Sequence, residues 1–230
     1  MPFRGRDNFQ RPGRTSLVGL AGALRRRGPP LALLALASSA VPAFTVTINA
    51  GSRTVYLQIG NGTSSGFFDN GVLPSNNTTI NQVSVAVPAT AVGNGTAQAM
   101  TTDSTAVNSF WDGFAFCNVP AQLYIGGFYR TPGNANSTAT VTATVPLALT
   151  DTTGDTIAFS QISWTSAGNG DGNAAQPFPA GTFPAGGSLT VGTITRNQWA
   201  ESCWTFSYRN TVIPPGGSYT GRVTYTLVAP

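Results

Sequence analysis

Asp112 and Glu201 are the two residues of this chain that could stand as a catalytic pair, because a glycosidic bond is cleaved by two carboxylates facing each other across it. Little else in the sequence could do acid–base or covalent work. There is no His, and every basic residue is Arg, so a Ser or Cys nucleophile lacks an ordinary base, zinc lacks its usual ligands and no Schiff base can form. A bond between Cys117 and Cys203 would bring the strands of the two acids near one another. The period of two argues against a pair, however: Glu201 shares a face with Cys203, whereas Asp112, five residues before Cys117, falls on the other face. Both acids are therefore read as solvated surface groups, and no catalytic residue, metal site or cofactor is expected. Asp171, in "SAGNGDGN", resembles one copy of a calcium-binding turn, but a single acid among glycines supplies too few ligands, and the stretch reads as a plain loop.

The two cysteines are expected to form one structural disulfide, since an exported chain meets an oxidising compartment and no other thiol or His competes for them. Aromatic residues crowd both. Phe110, Trp111, Phe114 and Phe116 precede Cys117, and Trp199, Trp204, Phe206 and Tyr208 surround Cys203. Packed on the bond, they make the core of a sandwich. Set out in an exposed row, Trp111, Trp199 and Trp204 would instead form a platform for a glycan, and both readings stand at this point. Sequons at Asn61, Asn76, Asn77, Asn94 and Asn136 are what chance gives in a chain so rich in Asn, Ser and Thr.

The charges show where such a core would be used. Of the 230 residues only 9% are charged, against roughly a quarter in an average soluble domain. The formal net charge is +4, but seven of the twelve basic residues lie in the first 27 positions, ahead of the apolar run "LALLALASSAVPAF". Arginines, a short apolar stretch and a Val-x-Ala ending make a secretory signal cleaved after Ala43, with Ala40 as the second choice. The run is too short to anchor the chain across a bilayer. Residues 1–43 are thus a leader and 44–230 the exported domain, destined for the extracellular space or cell surface with the periplasm in transit. That domain has five Arg against seven acids, a net charge of −2, with no membrane span and none of the clustered positive charge that nucleic acid requires.

Gly and Pro punctuate runs of alternating residues throughout the exported domain. "FTVTI", "RTVYLQIG", "NQVSVAVPA", "AQLYIGGFYR", "STATVTATVPLAL", "DTIAFSQISW", "GSLTVGTIT" and "SCWTFSYR" each carry a period of two, separated by turns such as "GNG", "TPGNANS", "TTGD" and "PPGG". About nine or ten strands at this spacing predict an all-β fold, a single antiparallel sandwich of immunoglobulin-like kind.

The chain closes on "GGSYTGRVTYTLVAP". Its Gly217, Tyr219, Gly221, Val223, Tyr225 and Leu227 resemble the Gly-x-Tyr-x-Gly/Asp-x-Val-x-Tyr/Val-x-Leu ending of the spore coat protein U and archaic chaperone-usher pilin group. The resemblance implies a pilin-like sandwich completed by donor-strand pairing, in which the N-terminal segment of one subunit, here Phe44, Val46 and Ile48, docks on the next. The function expected is that of a non-enzymatic structural subunit, a homopolymer or co-polymer of related chains. A secreted glycan- or surface-binding module is the alternative.

Overall fold

The structure is a computed structural model describing residues 46–62, 66–72, 79–133, 137–168 and 175–230. The leader, Phe44, Asp171, Asn76, Asn77 and Asn136 lie outside the described residues.

Alternation becomes strand. Along the chain run β1 (Val46–Thr47), β2 (Thr54–Ile59), β3 (Val83–Ser84), β4 (Gln98–Ala99), β5 (Thr101–Thr102), β6 (Leu123–Arg130), β7 (Thr138–Val145), β8 (Ala148–Thr150), β9 (Thr156–Ala158), β10 (Ile162–Ala167), β11 (Gly181–Thr182), β12 (Gly187–Thr195), β13 (Gln198–Tyr208) and β14 (Thr224–Val228). Among the described residues the count of fourteen exceeds the expected nine or ten because five strands are two-residue pairings, too short to leave a period in the sequence.

Two antiparallel sheets carry the fold. The larger runs in the order β11-β10-β13-β6-β2, with β1 and β4 also paired to β13, and the smaller runs β12-β7-β14. The smaller sheet follows from "TATVTATV" in β7, where Ala139, Val141, Ala143 and Val145 are buried and the threonines between them point away. They pack with Val191 and Ile194 of β12 against Ile125, Tyr129, Trp204 and Phe206 of the larger sheet, and these residues form the main core. The arrangement is an all-β, sandwich-like fold.

Strand β6, "LYIGGFYR", does not alternate, because it is buried on both faces from Leu123 to Tyr129. Ile125 and Tyr129 face the main core. Tyr124 and Phe128 face a second apolar layer, covered by the connection that includes Phe68, Phe110 and Trp111. Its paired glycines permit close approach: a Cβ at Gly127 would stand 2.2 Å from the Tyr56 carbonyl oxygen, and one at Gly126 would stand 2.2 Å from the Tyr124 hydroxyl.

Candidate functional site

β13 is the axis of the larger sheet, and its side chains divide by parity. Ala200, Trp204, Phe206 and Tyr208 enter the main core, while Trp199 and Cys203 turn to the second layer, and Glu201 between them shares that face. The expected disulfide forms on this face: Cys117 and Cys203, with Cα atoms 5.6 Å apart, tie the covering connection to β13. It packs with Ala106 and Tyr124, flanked by Phe110 and Phe116, so a tyrosine rather than a tryptophan lies against the bond.

Glu201 corrects the reading of a solvated surface acid. The Ser109 hydroxyl donates to its Oε1 at 2.7 Å, and the Tyr124 hydroxyl and the Trp199 indole N–H donate to its Oε2 at 2.8 and 2.9 Å. Burial raises the Glu201 pKa above the usual carboxylate range. The three donors pull it down, and the charge of Asp112 pushes it further up. Asp112 lies in a turn across which Asn108 and Ala115 bridge, so alternation does not run unbroken from Asp112 to Cys117 and parity does not assign it a face. Both oxygens of Glu201 are committed to protein donors, and the group works as an anchor that orients Trp199.

Trp199 floors a slot for the start of the described chain. Val46 pairs with Trp199 and Thr47 with Gln198, and the Ile48 N–H donates to the Asn197 carbonyl at 2.9 Å. Val46 and Ile48 are 9% and 4% exposed, buried on Phe128 and Trp199. Phe68 closes the cluster, its ring 4.8 Å from that of Phe128 and 5.4 Å from that of Trp199. Tyr56 stacks on Phe128 and Trp199, and burial pushes its phenol pKa well above the usual value. The N-terminal segment is thus seated within its own chain rather than free.

Two of the three tryptophans offered as an exposed glycan row do not form one. Trp199 is 3% and Trp204 0% exposed, and the Trp204 indole N–H donates to the Phe178 carbonyl at 3.0 Å inside the main core. Trp111 is half-buried, its ring 6.0 Å from Trp199. Ser109, Tyr124, Phe128 and Phe68 were not singled out in the sequence; the unalternating double-glycine run "LYIGGFYR" was the one signal pointing to this second layer.

The closing strand finds its neighbour in β7, with Tyr225 opposite Ala143 and Leu227 opposite Val141. Tyr219, Val223, Tyr225 and Leu227 all pack on the main core, and the Tyr225 ring lies 6.0 Å from Trp204. Among the described residues nothing pairs with the outer edge of β14 or with that of β12. Among the described residues no helix is long and apolar enough to cross a membrane, and no group of acids and cysteines could hold a metal ion. No protein-family model, curated protein or solved structure matches this chain.

Proposed function

We propose that this chain is a non-enzymatic structural subunit of an extracellular filament, coat or matrix, exported by its leader, whose copies join when the N-terminal strand of one enters the slot of another. The observation that carries the proposal is the manner in which β1 is held: a two-residue ladder and two alternate anchors, Val46 and Ile48, in an aromatic slot on β13. A short extended segment with alternate side chains in pockets is the mode of strand addition. A neighbour's segment would make the same contacts, so exchange costs little beyond opening Asn49–Arg53, the route by which identical elements are swapped between protomers. The outer edges of β14 and β12 agree with this reading, since neither strand holds a Lys or any other charge to repel a further strand.

The test is a cross-link between facing positions, Thr47→Cys with Gln198→Cys, which pair across β1 and β13. Oxidation of concentrated protein should give a reduction-sensitive ladder of covalent oligomers. A cross-linked monomer as the sole product at every concentration would exclude exchange.

A further inference from the structure

The outer face of the smaller sheet is an ordered grid of threonine that the assembly reading does not use. Register places Thr195 beside Thr138, Thr193 beside Thr140 and Val228, Thr190 beside Thr142 and Thr226, and Ser188 beside Thr144 and Thr224. Nine threonines, one serine and one valine thus stand in four rows over three strands. A bulge in β12 preserves the pattern: between Thr190 and Gly192 the register shifts, Val191 and Gly192 are both buried, and Thr193 returns to the outer face. Thr140 and Thr142 on the central strand are half-buried by their neighbours, and the other nine positions are exposed.

The grid is rigid and neutral. Threonine is stiff at χ1, so each of the nine threonines offers a methyl and a hydroxyl in nearly fixed places. The Thr142 hydroxyl donates to the Thr226 carbonyl at 3.5 Å, the one hydrogen bond that a grid hydroxyl makes to protein among the described residues, which leaves the others to water. Neighbours repeat at about 4.8 Å across the strands and about 6.7 Å along them. No position is ionisable, so the face suits an uncharged partner that itself repeats in two dimensions.

We infer that this face binds the surface of ice. Crystalline water presents oxygens on a grid of the same few-ångström scale. An array of immobile hydroxyls and methyls can hold such a layer at little entropic cost, because the side chains are ordered beforehand. Two other occupants fit less well. A flat polysaccharide is gripped by stacked aromatic rings, and the grid has none. A second copy laid face to face would bury threonine hydroxyls without assured partners, which is unfavourable. Strand twist of roughly 20° per step confines lattice register to the neighbourhood of β7, which makes Thr142 the position to change.

The experiment grows ice slowly through a solution of the full exported domain and compares protein concentration in the ice and in the remaining liquid, with inhibition of ice recrystallisation as a second readout. Thr142→Lys and, separately, Thr226→Lys at an exposed position are compared with the parent, and circular dichroism confirms that at least one of them is folded. The parent should enter the ice and block recrystallisation, and the folded Lys variant should lose both effects. The inference is overturned if the parent is excluded from ice as an inert protein is, if a folded Lys variant behaves as the parent does, or if the parent is retained by crystalline cellulose and not by ice. Strand exchange does not bear on the result, since β1 belongs to the other sheet.

Discussion

Replacing both halves of the disulfide, Cys117→Ala with Cys203→Ala, should cost the domain about 4 to 5 kcal/mol of stability through chain entropy. The figure follows from the sequence separation of 86 between the two residues, which sets the size of the loop that the bond closes in the unfolded chain. Loss of the two sulfurs adds a cavity beside Ala106 and Tyr124, worth about 1 kcal/mol more. Alanine is the right substitute because the cysteines are 2% and 1% exposed, and a serine hydroxyl would be buried there. For a domain of this size each kcal/mol moves the midpoint by roughly 2–4 °C, so the thermal transition should fall by about 10–20 °C. The assay is urea unfolding followed by tryptophan fluorescence. Its slope should also steepen, because an unfolded chain without the link exposes more surface. A loss below about 1 kcal/mol with an unchanged slope would show that the bond does not restrain the denatured state, and would refute the entropic account.

Glu201→Gln should flatten the pH dependence of stability. The folded carboxyl is raised above its unfolded value, so its contribution is fully present below the unfolded pKa and is lost as pH rises through the higher folded one. Thermal midpoints of parent and variant should therefore agree at about pH 4, where the parent carboxyl is protonated and neutral like the amide, and separate toward about pH 8 as the parent falls below the variant; parallel curves would contradict the burial argument. Trp204→Ala should cost about 3–5 kcal/mol by chemical denaturation, because the ring is fully buried, whereas half-buried Trp111 should cost less than about 2 kcal/mol; equal losses would count against the division of layers. Gly127→Ala places a Cβ 2.2 Å from a backbone oxygen that cannot yield, and should cost more than about 3 kcal/mol. Gly154→Ala, at φ +93° in open space, should cost only about 1–2 kcal/mol; similar losses in the two alanine variants would overturn the claim of close backbone approach.

What the sequence made legible is what depends on neighbours along the chain. The inward rows of β7 and β14 read directly from "TATVTATV" and "TYTLV", because each strand has one dry face and one wet face. The same rule failed for β6, whose two faces are both dry, and it could not mark five strands of two residues. Glu201 was misread because its donors Ser109 and Tyr124 lie 92 and 77 positions away and reach it only after the sheet and the covering connection have formed. Parity placed Glu201 on the correct face of β13, beside Trp199 and Cys203. It has no hold on Asp112, because a turn interrupts the strand geometry on which parity depends. Alternation also made Val46 and Ile48 candidates for an apolar slot; whose chain fills that slot is a matter of assembly.

Light scattering with size-exclusion chromatography on two chains, one beginning at Phe44 and one at Gly51, tests strand exchange most directly. The first retains Val46 and Ile48 and should give a concentration-dependent ladder of oligomers, visible as filaments by negative-stain microscopy. The second lacks both anchors and should remain a monomer. Two monomers of equal behaviour at every concentration would contradict assembly through the N-terminal strand.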